Sequence, residues 1–469
     1  MRTSALKYTV LSWVSVFTIL ILFLMPFHAL LTVWGSSLFG HYTSLRLWKE
    51  VLLVIGAFGV LYLIAMDSKI RTHTLSRRLA WLILIYILLT AVWGLLALNQ
   101  HDVTLKALGY GLIVNLRYLV FFLVTWAVAL RMSRLRSYWQ WAVYWPAMGV
   151  ALFGLLQIFV LPHDFLRHLG YSDATIPVFE TINNNREYIR IASTLRGANP
   201  LGAYLLIPIS LLAVLLLNPK RRTWLQGGFL AALLTVLFFS FSRSAWIGAA
   251  LSILVVLLVS VRSRPARRVT MAIIAGLVLI GAGLTLVYRH NPRFQNFIFH
   301  TQTRSEVKTT SNEHHLSALK TGLDEVWDYP LGQGPGTAGP ASIYNAGHKP
   351  RIAENYFVQI SQEVGWLGFA TFVLICAGVG YLLWLRRADP LALSLFASLI
   401  GLTFINLLSH AWADDTLAYV WWGLAGVAMA PDRKAEAALK DGTADTDNPE
   451  DKDERPAKPA KKSAAKTRR

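Results

Sequence analysis

Cysteine is almost missing from this 469-residue chain: Cys376 stands alone, inside an apolar run. Without a second thiol, disulfides, thiolate metal sites and iron–sulfur clusters are excluded within one chain. Charge is also scarce, at 15% of residues against 55% hydrophobic, and the mean hydropathy is +0.45. A chain of this length would ordinarily form about two or three soluble domains. Instead, apolar stretches of bilayer length, about 20 residues each, recur along nearly the whole sequence and leave no room for a large globular domain. A cytosolic enzyme and a secreted disulfide scaffold are both excluded. No His-Glu-x-x-His pattern occurs, and His314 and His315 are adjacent rather than a helical turn apart, so no metal site and no cofactor are expected. A repeat of fixed period is absent too, and the first apolar span is too long for a cleavable signal peptide.

Apolar runs between charged punctuation place about twelve spans, near 9–34, 45–66, 79–98, 107–130, 138–161, 200–218, 224–241, 245–261, 269–288, 357–384, 391–411 and 414–430. The expected class is an all-α integral membrane protein. With the N-terminus cytoplasmic, the inside connections hold Lys69, Arg71, Arg77 and Arg78, then Arg131, Arg134 and Arg136, then Lys220, Arg221 and Arg222. The next ones hold Arg262, Arg264, Arg267 and Arg268, then Arg386 and Arg387, whereas the short outside connections are nearly free of Lys and Arg. The net charge of +19 therefore reads as topology and contact with anionic membrane lipids, not as affinity for nucleic acid.

Residues 1–430 form the membrane domain in this reading, with two long extracytoplasmic segments, 162–199 and 289–356. Segments of that length are either functional or disordered; their aromatic, Gly, Pro and charged residues favour order. Within the second, Leu316, Leu319, Leu323 and Trp327 recur at helical spacing and end before Pro330. This predicts an amphipathic helix on the membrane surface or over a cavity. Residues 431–469 run from acidic to Lys/Ala/Pro-rich without apolar periodicity, which predicts a disordered cytoplasmic tail.

Ionisable residues at or inside spans point to function by default. Lys49 and Glu50 open the second span and Arg117 lies within the fourth; an internal pair of Glu50 with Arg117 is the structural alternative. Arg243 interrupts two apolar runs in Ser242-Arg243-Ser244, and Arg190 and Arg196 end the first long segment. Arginines gathered at one depth suit a bidentate clamp for a diphosphate, because the planar guanidinium matches two oxygens; contact with lipid phosphates is the alternative. Gly334, Gly336 and Gly339 satisfy G-x-G-x-x-G, but no strand precedes them and prolines interrupt them, so a dinucleotide site is rejected. His28, His73 and His410 read as solvated or hydrogen-bonded structural histidines.

The ordered set of Arg190, Asn199-Pro200-Leu201-Gly202, Ser242-Arg243-Ser244, Pro330-Leu331-Gly332-Gln333-Gly334-Pro335-Gly336, Glu354-Asn355-Tyr356 and Glu363-Val364-Gly365 resembles the O-antigen ligase and polymerase family of bacterial multispanning glycosyltransferases. The resemblance covers most of residues 1–430. It implies a bacterial inner or plasma membrane enzyme, active on the extracytoplasmic face. Such an enzyme takes a polyprenyl (undecaprenyl) diphosphate-linked glycan donor and transfers the glycan to an acceptor hydroxyl, inverting and without metal. The partners implied are that donor, a lipid or cell-wall glycan acceptor and membrane lipids, with no nucleic acid. Arg243 and Arg190 match the family's arginines, with Arg196 as a neighbour. His315 stands where the family usually has an arginine, and Glu354 where it usually has a histidine.

Attack on an anomeric carbon requires acceptance of the hydroxyl proton, which a carboxylate or an imidazole provides. Glu354 is thus the first candidate base; a helix cap or a salt bridge to Arg351 or Lys349 is its alternative. His315 and His348 are held in reserve, and Lys49, Glu50, Arg117, Asn355 and Glu363 are candidate supporting residues. A ligase and a polymerase of lipid-linked repeat units share the donor site and differ in acceptor. A transporter of lipid-linked glycans is the rival from another class; it would carry symmetric halves, and none is visible.

Overall fold

The computed structural model describes residues 2–430 except 183–184, 220, 262, 292–293 and 296–310. The tail expected to be disordered, 431–469, and about a quarter of the second long segment lie outside the described residues, as do Lys220 and Arg262. Helices occupy every one of the twelve apolar stretches. In chain order they are α1 Arg2–Leu24, α2 His28–Phe39, α3 Tyr42–Arg46, α4 Trp48–Met66, α5 Ser68–Leu75, α6 Arg78–Asn99, α7 Leu105–Ala129 and α8 Ser133–Phe159. There follow α9 Ala198–Leu216, α10 Trp224–Phe239, α11 Arg243–Ser260, α12 Arg264–Tyr288, α13 Ser311–Asp328, α14 Tyr356–Leu385, α15 Pro390–Asn406 and α16 Asp415–Ala428.

Eight helices are long and apolar enough to cross a membrane by length and composition, fewer than the twelve expected. The shortfall has a local cause. Three of the four that fall short, α10, α15 and α16, are helical for only 16, 17 and 14 residues, and in the fourth, α12, the apolar helix is Leu279–Tyr288. Their starts fall where expected, with Thr223 and Gln226 closing a reciprocal cap on α10 and Asp389 capping α15 with Pro390 in its first turn; the loss is at the far ends, Phe239 and Asn406.

The all-helical expectation needs one amendment. Glu180–Ile182 and Asn185–Arg190 pair as a short antiparallel hairpin (β1 and β2), with Glu180 opposite Arg190. Helix α9 lies at the centre of the bundle, buried along nearly its whole length, as a helix apolar all round must be. An aromatic cluster fills the space between α7, α14 and α16; in it Tyr118 and Tyr356 share a 2.8 Å hydrogen bond between hydroxyls, and Trp421 and Trp422 are fully buried.

One irregular segment enters this bundle. The loop 330–339 threads between α7 and a break in α14 at Gly365, whose φ of +67° is open to glycine at little cost. The break frees the Trp366 amide to donate to the Pro330 carbonyl at 3.0 Å, while the Gly334 and Gln333 amides donate to the Glu363 and Gln362 carbonyls. The Glu363 carboxylate, fully buried, accepts from the Gly336 amide at 2.7 Å and from Asn115 Nδ2 at 2.6 Å. Gly336 (φ +90°) lies so close to α7 that a Cβ would come within 2.3 Å of the Ala107 carbonyl oxygen. Gly336→Ala is therefore expected to cost about 2–4 kcal/mol. Thermal unfolding in detergent micelles checks this, and an unchanged midpoint contradicts the close approach.

Candidate functional site

Two polar cavities lie at the ends of the helices, and four of the sequence-predicted residues line them: Arg196, His315 and Glu354 the first, His348 the second. The first, about 170 Å3, is lined by Arg196, Asn199, Pro200, Ala203, His315, Glu354, Ser409, His410, Ala411 and Asp414. It brings together residues from four stretches far apart in sequence. Arg196 and Asn199 stand at the start of α9, where Gly197 is the N-cap and Pro200 sits in the first turn. A proline there loses no intrahelical hydrogen bond, and the helix end carries a partial positive charge, toward which the Glu180 carboxylate turns, accepting from the Ala198 amide at 3.4 Å. The turn before it is locked from behind: Ser193 Oγ donates to the Val150 carbonyl at 2.7 Å and Thr194 Oγ1 to the Pro26 carbonyl at 2.7 Å. Arg196 is exposed, and among the described residues none hydrogen-bonds its guanidinium.

Glu354 reaches the cavity from a strained position. Its φ is +52°, a conformation that costs a non-glycine residue about 1–3 kcal/mol. Its neighbours impose it. Asn355 caps α14 by accepting from the Phe357 and Val358 amides, while its Nδ2 donates to the Leu407 carbonyl at 2.9 Å. The Tyr356 amide donates to the Ser409 carbonyl at 3.1 Å. The start of α14 is thereby pinned to the 406–410 turn, which carries His410. Asn355 itself is thus a cap.

Helix α13 brings the third side. Gly322 and Val326 press on Ala353 and Val358, and Nδ1 of His315, a few residues earlier, meets the Glu354 carboxylate. The alternative partners of Glu354 are therefore not taken up: Arg351 is engaged by Glu325 at 2.8 Å instead. The amphipathic expectation for α13 holds with a shifted register. The packed residues are Leu319, Gly322 and Val326, while Leu316 and Trp327 face outward.

His410 was expected to be a structural histidine, yet it lines the cavity. Burial, together with Arg196 and His315, holds its imidazole down to about 4. Asp414 caps α16 through the Leu417 amide, and its Oδ2 is buried without a hydrogen-bond partner among the described residues. Neither residue carried a sequence signal of its own. Only the short polar turn between two apolar stretches marked the place.

Arg190 and Arg243 stand beside this cavity and do not line it. The Arg190 side chain donates to the Ser240 carbonyl at 3.0 Å and to Asn199 Oδ1 at 2.6 Å, and pairs with Glu180 at 3.4 Å. Burial lowers its proton affinity and Glu180 restores part of it. Arg190 thus ties the hairpin to the turn between α10 and α11 and holds Asn199 in place, with Arg243 within electrostatic reach. Glu363 belongs to the loop cradle described above. Lys49, Glu50 and Arg117 form a buried ionic cluster: Lys49 Nζ meets Glu50 at 3.1 Å and Asp415 at 3.2 Å, His28 meets Asp415 at 3.3 Å, and Arg117 meets Glu50 at 3.5 Å and the Ala413 carbonyl at 2.7 Å. The structural alternative, a Glu50–Arg117 pair, is the one realised. The cluster fixes the start of α16 behind the cavity.

The second cavity, about 260 Å3, is lined by Asp102, Glu325, Tyr329, Gln333, Thr337, Asn345, His348 and Arg351. His348 is thus placed away from Glu354 and His315. Among the described residues no group of three or more His, Cys, Asp or Glu is arranged to hold a metal ion.

A histidine held neutral by burial favours the fold above its ordinary value of 6.5, and that contribution is lost as pH falls toward 4. In protein labelled with 15N histidine, with His410→Gln to assign the signal, His410 is expected to remain neutral at about pH 5. An imidazolium signature at that pH contradicts the burial.

Residues 228–373, about a third of the chain, match the family model described as O-antigen ligase. The matched stretch includes Arg243, His315, His348, Glu354, Asn355 and Glu363, and leaves out Arg190, Arg196 and the ionic cluster. No curated relative matches the chain.

Proposed function

From its O-antigen ligase domain, which supports glycosyltransferase activity of that type, we propose that this membrane protein transfers a glycan from a polyprenyl diphosphate to an acceptor hydroxyl at the extracytoplasmic face. The observation that carries this reading is the single cavity shared by Arg196, His315, Glu354 and His410 at the start of α9. It combines an anion-binding half with a proton-accepting half, the two requirements of the reaction.

The diphosphate binds at the α9 end. Arg196 supplies the free guanidinium fork, the helix terminus adds its partial charge, and Arg190 and Arg243 add positive potential from behind. As the acceptor oxygen bonds to the anomeric carbon from the opposite side, the bond from that carbon to the diphosphate oxygen breaks and the configuration inverts. The electron pair leaves on the diphosphate, where the arginines stabilise it; such electrostatic stabilisation is usually the largest catalytic contribution. The hydroxyl proton passes to Glu354, which His315 orients. His410, neutral at physiological pH, is the second proton acceptor in reach of the cavity. Arginines supply the charge neutralisation, so the reaction proceeds without a metal ion. A ligase and a polymerase would use the same donor site, and the acceptor decides between them.

Transfer by purified protein supplied with a polyprenyl-diphosphate oligosaccharide and envelope acceptor, in EDTA, tests the reading. Arg196→Ala is expected to lower turnover about 100- to 1,000-fold, and Glu354→Gln about 100- to 10,000-fold. Full activity of either variant, or a requirement for Mg2+ or a nucleotide sugar, overturns it.

A further inference from the structure

The second cavity has no part in the chemistry just described, and its lining is unusual for a membrane protein. Apart from the Tyr329 ring and the Thr337 methyl, the lining side chains are polar or charged. Several are fixed before any ligand arrives. Arg351 clamps Glu325 with two nitrogens, at 2.9 Å and 2.8 Å, and also reaches Gln333. Asn345 is held at both ends, accepting from the Thr104 amide at 2.9 Å and donating to the Asp102 carbonyl at 3.0 Å. Thr337 Oγ1 donates to the Gly334 carbonyl at 2.7 Å. Three groups have no such engagement: among the described residues none hydrogen-bonds the Asp102 carboxylate, the Tyr329 hydroxyl or the His348 ring.

We propose that this cavity binds one sugar residue of a glycan. Resting on the reading of function above, this names where the carbohydrate is held while its end reacts. The chemistry favours a hydroxyl-rich, uncharged ligand. The lining mixes acceptors (Asp102, Glu325, Asn345) with donors (Arg351, Tyr329, His348), and Arg351 balances Glu325 directly, so neither an anion nor an apolar chain is suited. A sugar hydroxyl both donates and accepts, which satisfies such a mixed lining without leaving a group unpaired. The size agrees: the cavity is smaller than the roughly 300–1,000 Å3 of a drug-sized pocket, and so takes a single ring rather than a long chain. Its distance from the reactive centre agrees as well. Arg351 lines this cavity and Glu354 the other; three residues of chain separate their Cα atoms by at most about 11 Å, a span that a short oligosaccharide covers. His348, a residue matched to proton transfer by its type alone, becomes a contact for sugar hydroxyls.

The donor and the acceptor both carry sugar, and the test separates them. Two probes are prepared from the same cells: the reducing oligosaccharide released from the polyprenyl diphosphate by mild acid, and the delipidated acceptor glycan. Their binding to full-length wild-type protein and to Asp102→Ala and His348→Ala is measured by saturation-transfer NMR titration. Both side chains are partly or fully exposed, and matched thermal midpoints establish that the variants fold. One probe is expected to bind wild type and to lose at least about 10-fold in affinity in each variant, the loss of one or two hydrogen bonds; which probe does so identifies the source. Absence of binding by both probes, or equal affinity in all three proteins, overturns the subsite. A protein that transfers no glycan yet shows the variant-sensitive binding retains the subsite and loses the catalytic reading. One that transfers glycan with variant-insensitive binding does the reverse.

Discussion

The buried Glu363 carboxylate is the contact on which the arrangement of the candidate site depends. Irregular backbone inside a bundle of apolar helices is tolerated only where its amides and carbonyls are satisfied. Glu363 does this for the loop 330–339, taking the Gly336 amide on one oxygen and Asn115 of α7 on the other. The loop is thereby fixed between α7 and α14, and everything attached to it is fixed in turn. On its N-terminal side hangs α13 with His315; on its C-terminal side the chain runs through Asn345 and Arg351 to the strained Glu354. A residue with no place in the first cavity thus sets the position of those that line it.

A second buried polar group supports the opposite wall. Lys49, Glu50, His28, Arg117 and Asp415 pair with one another behind the start of α16, which holds the turn bearing His410 and Asp414. Breaking one member would leave a buried charge without compensation, which is strongly destabilising. The first cavity therefore sits between two rigid polar anchors, and of its cations Arg196 is the one left open to a ligand. Arg190, which resembles a substrate-binding arginine by sequence position, is held by Ser240, Asn199 and Glu180 and acts through the placement of Asn199 and the surrounding potential.

The helices were legible in the sequence because a bilayer-length apolar run leaves few alternatives for the backbone. Their lengths were less so, since α10 stops at Phe239 and α15 at Asn406, before the apolar stretches themselves run out. Among the site residues, Arg196, His315 and Glu354 were legible because each lies in a polar segment with no packing reason to be there. His410 and Asp414 were not: their significance comes from meeting Glu354 and Arg196, tens to hundreds of residues away in the chain, and local pattern holds no record of that. The same limit applies to His28 and Asp415. His348 shows the converse. Residue type suggested proton transfer, but the fold sends it to a different cavity.

The central claim is that the diphosphate is bound at the start of α9, facing Glu354. Determination of the structure by electron cryomicroscopy in nanodiscs with a polyprenyl diphosphate bound tests it most directly. The account predicts diphosphate density within hydrogen-bond distance of Arg196, in the cavity lined by His315, Glu354 and His410. Diphosphate density located instead at the ionic cluster of Lys49 and Arg117, or at the opposite ends of the helices, would contradict it.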